Sequence, residues 1–328
     1  MPSSLTFFQL NMTNLPASNL TNISQATRNI TMDGEALNVA LKVTYIITII
    51  FNSIMCPLTV ALNVLVIMAV KRRPRLQSYS NILLACLAVT DAFTGLLVQP
   101  TFIIWGISRL LGGINTDMIH NLHILFLVAV TLSSALHLML VTCERLIAIK
   151  YTFVYPYLVT TRNIKVAVTV FWVLALCCTI LRRTSVNQLF NDGMGKKIGN
   201  VIIFIVIISC IVYIVMSYGI LYQQTAHTQN KIKTQQILQE EVERFLKEKK
   251  TFKTTAYVIC AVLLCFSPGA VITILSYIRE LNIPYSAPWI ITIAMLNSLL
   301  NPLVYCWRQK EMRQFVFQLS TAAVAPVS

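Results

Sequence analysis

Charge is what this chain has least of. Only 12% of its 328 residues are Asp, Glu, Lys or Arg, about half the share usual in a soluble domain. Acid is the scarcer sign, with 12 acidic against 26 basic residues and a formal charge of +14. A chain this poor in charge and 56% apolar is solvated mostly by lipid, which excludes an ordinary cytosolic enzyme. The basic excess does not argue for nucleic acid, because cytoplasmic loops of membrane proteins collect Lys and Arg for topological reasons. Cysteine is missing where a disulfide framework would need it. All nine (Cys56, Cys86, Cys143, Cys177, Cys178, Cys210, Cys260, Cys265, Cys306) lie in or beside apolar runs, where Cys behaves as a small hydrophobe. Internal repeats and metal-ligand clusters are also lacking; His120, His123 and His137 share no face with a carboxylate.

Seven apolar stretches are present, at 43–70, 79–104, 120–149, 164–181, 198–222, 254–278 and 286–307. Each is near or above the ~20 residues that a spanning helix needs. The first, fifth, sixth and seventh hold no charged residue. The expected fold is all-α, a seven-helix membrane bundle. Residues 1–42 form a tail before it, 43–307 the bundle, and 308–328 a short amphipathic eighth helix with a cytoplasmic end.

Orientation follows from the loops. Segments 71–78, 145–165, 223–253 and 308–328 carry 18 of the 26 basic residues, which places them inside. Four glycosylation sequons, at Asn11, Asn19, Asn22 and Asn29, crowd the first 31 residues and occur nowhere else. Glycans are added on the luminal side, so the N-terminus is expected outside, polar and without regular structure. No cleavable leader is read there, and the first span is expected to act as signal anchor.

Between spans 5 and 6, residues 235–250 place apolar residues at helical spacing among mixed charges. Both spans are therefore expected to continue as helices into the cytoplasm. That surface is either a solvated face, a dock for a cytosolic partner or a contact for anionic lipid. Within the membrane, Asp91 stands mid-span amid apolar sequence, and an ionisable group there needs a partner inside the bundle. Asn63 in span 1 and Asn297, Ser298 and Asn301 in span 7 are candidates, as an ion or proton site or as a structural cluster. Pro268 and Pro302 interrupt spans 6 and 7 and bend them.

These residues fall into a pattern. Asn63 sits in Ala61-Leu62-Asn63-Val64, Asp91 in Leu87-Ala88-Val89-Thr90-Asp91, and Glu144-Arg145-Leu146 ends span 3. Trp172 lies in span 4, Cys265-Phe266-Ser267-Pro268 in span 6, and Asn301-Pro302-Leu303-Val304-Tyr305 in span 7. Together they resemble the rhodopsin-like (class A) G-protein-coupled receptors over about 43–318, and the wording after Tyr305 is closest to adenosine and melanocortin receptors. Departures mark a divergent member. His120 stands where the family has the span-3 cysteine of its outer disulfide, and the loop 182–197 has no cysteine. The span-5 proline is missing near Cys210, Phe266 replaces the switch tryptophan, and Leu146 follows the Glu-Arg pair.

The resemblance implies a receptor on the plasma membrane, not an enzyme, whose partner is a heterotrimeric G protein. Glu144, Arg145, Tyr218, Tyr305 and Glu248 would form the coupling face and inner latch. Glu248 either faces Arg145 or pairs with Lys247 or Lys249. Phe266, Pro268, Asn301 and Pro302 would be the activation switch, and Asp91, Ser134, Asn297, Ser298 and Asn301 would hold an allosteric sodium ion, with no other cofactor. The ligand pocket would be lined by Leu127, Val128, Thr131, Phe266, Gly269, Ala270, Thr273, Ile291 and Met295. Leu127 removes the aspartate that aminergic receptors use, Met295 the opsin lysine, and Thr273 the adenine-reading asparagine. Thr101, His120 and Ile124 do not supply the melanocortin carboxylates. What remains is an apolar pocket for a small lipid-like or neutral aromatic ligand. The alternatives are a receptor-like protein that is silent or constitutively active, and, remotely, a transporter or channel.

Overall fold

The computed structural model describes residues 17–151, 154–188, 194–234, 239–279 and 286–324, with backbone alone at 17–36, 183–188, 194–200, 203, 204, 228–234, 239–241, 243–252, 273, 276–279, 317 and 319–324. Among them there are no strands. Seven helices are long and apolar enough to cross a membrane: α1 (Ala17–Arg72), α2 (Tyr79–Leu111), α3 (Thr116–Lys150), α4 (Thr161–Gln188), α5 (Met194–Thr234), α6 (Gln239–Arg279) and α7 (Ser286–Arg308). The amphipathic α8 (Lys310–Val324) follows. All seven expected spans fall inside these helices, and α5 and α6 continue beyond them toward 235–238 as the sequence pattern implied. One expectation fails. Helix α1 begins at Ala17, inside the tail read as lacking regular structure. No proline follows Pro16 until Pro57, and a helix already anchored in a span propagates at one hydrogen bond per residue.

Local chemistry sets the ends. Ser78 caps α2 by accepting from the Asn81 N–H, which satisfies one orphan donor. At its other end Gly112 takes a left-handed conformation, φ +64°, the geometry in which glycine ends helices without strain. Midway, α2 widens at Thr94–Val98, where the Gln99 N–H donates to Thr94 O five residues back. Pro100 follows and has no N–H, so Gly95 O loses its backbone donor; the Cys56 thiol of α1 donates to it instead, at 3.1 Å. A side chain at Gly95 would meet Val60 Cγ2 at 2.6 Å, so glycine here is what lets α1 and α2 touch.

The apolar core has three parts. An inner cluster joins Val66, Leu84, Leu87, Val141, Ile214, Val258, Tyr305 and the α8 residues Met312 and Phe315. An outer cluster joins Tyr45, Val98, Phe102, Trp105, Val130 and Met295. A lateral one packs α3 on α4 and α5 through Leu132, Leu136, Ala175 and Cys210. Helix α2 is the most enclosed span and α4 the least, so a polar residue on α2 is carried into the middle of the bundle.

Candidate functional site

The widened turn of α2 brings Asp91 and Thr94 against α7. Asn301 Nδ2 donates to Asp91 Oδ2 at 2.7 Å, and Ser298 Oγ donates to Thr94 Oγ1 at 3.0 Å. Helix α1 joins through Asn63 Nδ2, which donates to Ser298 O at 2.9 Å. Asp91 is fully buried, yet no cation is paired with it among the described residues. Asp91 Oδ1, Asn63 Oδ1, Asn297 Oδ1 and Asn301 Oδ1 have no hydrogen-bond partner among the described residues. Beside this cluster lies a cavity of about 20 Å³, whose lining includes the polar residues Thr94, Thr131, Ser134, Asn297 and Ser298 and the apolar residues Leu127, Phe266 and Met295. That is room for one water or one monatomic ion. The structure thus gathers all five residues read as a sodium site. Three line the void, and Asp91 and Asn301 bond to each other next to it.

A second buried carboxylate sits at the inner end of α3. Glu144 and Arg145 are 3% and 4% exposed. Arg145 Nε donates to Glu144 Oε2 at 2.6 Å, and Arg145 Nη2 pairs with Glu144 Oε1. The hydroxyl of Tyr155, from a single helical turn (Tyr155–Leu158) in the α3–α4 loop, donates to Glu144 Oε1 at 2.7 Å. A planar guanidinium and a carboxylate match two bonds to two oxygens, which suits a pair taken out of water. Tyr218 of α5 lies half-buried on the inner core cluster. Tyr305, fully buried in that cluster, has no hydrogen-bond partner for its hydroxyl among the described residues. The side chain of Glu248 lies outside the described residues, as do those of Thr273 and the four sequon asparagines.

The expected ligand pocket is gathered only in part. Leu127, Thr131, Phe266 and Met295 share the small cavity. Val128 instead packs toward α4 and α5, and Ile291 packs into the outer cluster against α1 and α2. Gly269 is held close to α7, since a Cβ there would lie 2.8 Å from Ile290 Cγ2. Ala270 is half-buried. Pro268 and Pro302 lie inside α6 and α7 as the sequence implied.

Several groups escaped the sequence reading. Asn52 Nδ2 donates to Thr292 Oγ1 at 2.9 Å and ties α1 to α7, with Gln99 of α2 packed beside it. In the outer half, where the family disulfide is missing, Trp105 stacks on His123 at 5.9 Å and lies 4.6 Å from His120. Tyr45 meets the same indole edge-on at 5.6 Å. The Thr101 hydroxyl donates to the backbone, so its oxygen accepts from His123 Nδ1 at 3.2 Å. That assignment makes Nδ1 the protonated nitrogen of His123. Neutral amides and aromatic rings in apolar runs look ordinary in sequence; polar atoms recurring four apart on α1 (Thr48, Asn52 and Thr59, Asn63) were the signal available.

A family model described as "7 transmembrane receptor (rhodopsin family)" matches residues 62–305. The histamine H2 receptor of Cavia porcellus is 25% identical over 321 residues, covering 90% of this chain and 83% of that receptor. The adenosine receptor A2b of Gallus gallus is 24% identical over 303 residues, 83% and 87% of the two chains. The histamine H2 receptor of Rattus norvegicus reaches 30% identity, but over 165 residues, half of this chain and 43% of its own length. The likeness to adenosine receptors was read from the sequence; the likeness to histamine receptors was not.

Proposed function

Since the chain belongs to the rhodopsin family of seven-transmembrane receptors, we propose that it passes a signal from a small ligand to a heterotrimeric G protein, with its inner face held closed at Arg145. The buried Glu144–Arg145 pair carries this reading. A guanidinium held on its own helix is withheld from any cytosolic partner, and releasing it turns a stored contact into an available one. A ligand that binds the released form better shifts the population toward it by its difference in affinity. Glu248, at the inner end of α6, would add a cross-helix brace on Arg145 in the closed state, with Tyr218 and Tyr305 supporting Arg145 in the open one.

The ligand we infer is apolar. Of the nine residues expected around it, Leu127, Thr131, Phe266 and Met295 line the cavity, and Leu127 stands where a cation-binding carboxylate would be needed for an amine such as histamine. A void of about 20 Å³ is far below the ~300 Å³ of a usual ligand site, so ligand entry is coupled to separation of α3, α6 and α7. The buried oxygens around Asp91 fit a sodium ion, a hard cation that suits such donors. Bound by Asp91, Ser134, Asn297, Ser298 and Asn301, it would supply the missing positive charge and favour the closed form. The basic loops and the clustered sequons support a plasma-membrane receptor with its N-terminus outside.

The test is ligand-free nucleotide exchange by purified G proteins of each main class on the full chain in lipid discs. Arg145→Ala is expected to abolish exchange and Glu248→Ala to raise it. Exchange with no class, or exchange unaffected by Arg145→Ala, would overturn the reading.

A further inference from the structure

The outer cluster holds two polar atoms that the fold leaves unsatisfied. Trp105 and His123 are 4% and 0% exposed, yet neither the indole Nε1–H nor the imidazole Nε2 has a hydrogen-bond partner among the described residues. Burying such a group without a partner costs free energy, and native proteins rarely keep one. Here two occur side by side, on rings 11° from parallel with centres 5.9 Å apart. Their chemistry is complementary. The indole can only donate. Thr101 Oγ1 donates its own proton to the backbone and accepts from His123 Nδ1, which leaves Nε2 as a lone-pair acceptor.

This pair is continuous with the small cavity beside Asp91. Val98, Val130 and Met295 belong both to the cluster around Trp105 and to that cavity's wall. On α3, His123, Leu127, Thr131 and Ser134 recur every three or four residues and share one face, and the last three line the cavity. The rise from His123 to Thr131 is about 12 Å at 1.5 Å per residue. A donor and an acceptor at the outer end are thus joined by one helix face and one apolar cluster to the chamber further in. The pair also selects a head group. A hydroxyl accepts from Nε1–H and donates to Nε2 through a single oxygen. An ether or ester accepts but cannot donate, and a carboxylate sets its charge against the Nε2 lone pair. An ammonium has nothing to offer the indole N–H and meets the guanidinium of Arg109, which lies 5.9 Å from the Trp105 ring and makes no ion pair among the described residues.

We propose that Trp105 and His123 form the head-group subsite for a neutral alcohol with an apolar body about 12 Å long, its hydroxyl bridging the two rings and its body lying along Leu127, Val130 and Met295. The subsite rests on the apolar-ligand reading above and gives that ligand its one polar group.

The full chain in phosphatidylcholine discs tests this with a set of straight-chain probes at matched membrane mole fraction: 1-decanol, 1-methoxydecane, decanoate, decylamine and decane. Thermal unfolding reads binding. 1-Decanol is expected to raise the unfolding temperature at a membrane concentration at least about tenfold below that needed by the others, because a site built to hydrogen-bond a hydroxyl rejects analogues that leave its polar groups unpaired. W105F and H123F, which keep a ring at each position, should bring 1-decanol to the level of decane. A second readout needs no variant: with ring nitrogen-15 label in the four histidines of the chain, 1-decanol should shift the Nε2 resonance of one of them and decane should shift none. Equal effects of 1-decanol and decane, a tighter response to decanoate or decylamine, a 1-decanol response that survives in both variants, or unmoved histidine resonances would overturn the subsite. None of these readouts uses a G protein, so failure of the subsite and failure of the receptor reading are told apart.

Discussion

Two carboxylates are buried among the described residues, and they are treated in opposite ways. Glu144, at the inner end of α3, receives both arms of Arg145 and the Tyr155 hydroxyl. Asp91, at the centre of α2, receives Asn301 and leaves Oδ1 without a partner among the described residues. Burying an ion is costly unless a counter-charge and further hydrogen bonds come with it. Glu144 brings its own from the next residue and the next loop. Asp91 has neutral amides and hydroxyls around it and a void the size of one ion at its side. The first carboxylate has its counter-charge within the described residues; the second has hydrogen-bond donors but no counter-charge there. In the proposed reading the first is the contact that opens and the second the site that senses which form is present.

Breaking the compensated pair has the largest expected effect. Glu144→Ala leaves the Arg145 guanidinium buried without its counter-charge, a loss of about 3–5 kcal/mol if the arginine stays in place. It is expected to lower the unfolding temperature or, if Arg145 swings free, to raise ligand-free exchange. A variant unchanged in both would show that Glu144 does not hold Arg145.

At Asp91 the sign differs. Asp91→Asn removes an uncompensated charge, so stability in sodium-free buffer should hold or improve. The wild-type chain should gain about 1.4 kcal/mol when sodium reaches ten times its Kd in place of choline, and the variant should gain nothing. Thermal unfolding in matched salts measures this, and a sodium response that survives the substitution would remove the ion from this site.

The smallest effect sharpens the comparison from the Glu144 side. Tyr155→Phe removes one hydrogen bond to the carboxylate and keeps the ring, at about 1–2 kcal/mol. Because the Arg145 contact remains, exchange should rise less than in Glu144→Ala. An equal rise in the two would mean that the loop, rather than the arginine, sets the closed state.

Much of this was legible before the fold. Asp91, Asn63, Ser298 and Asn301 stood out as polar groups in apolar runs, and the bundle brings all four together. Glu144 and Arg145 are adjacent, so their pairing needed no tertiary information. Tyr155 was not legible as a partner, because its hydroxyl reaches Glu144 through the turn of the α3–α4 loop. Nor was the widened turn at Thr94–Val98, which depends on Cys56 arriving from α1 to take the Gly95 carbonyl. The residues expected around the ligand are brought together only in part for a related reason. Helical periodicity says which residues share a face, while Val128 and Ile291 show that it does not say which neighbour that face meets.

The sequence by itself determined the number of spans, their bounds within a few residues, the bias of base to alternate loops, and the polar groups that lipid would not accept. These are local quantities: transfer of each side chain between water and hydrocarbon depends on the residue and its immediate run. Tertiary structure alone decided that Asn52 meets Thr292 across 240 positions, that Arg73 reaches Phe315 and Gln318 of α8, and that a space of about 20 Å³ is left beside Thr94, Ser134, Asn297 and Ser298. Those depend on how closely helices approach and at what register. That is set by the shapes of all the packed side chains together, with a glycine at position 95 and a proline at position 100 acting through partners that no local window contains.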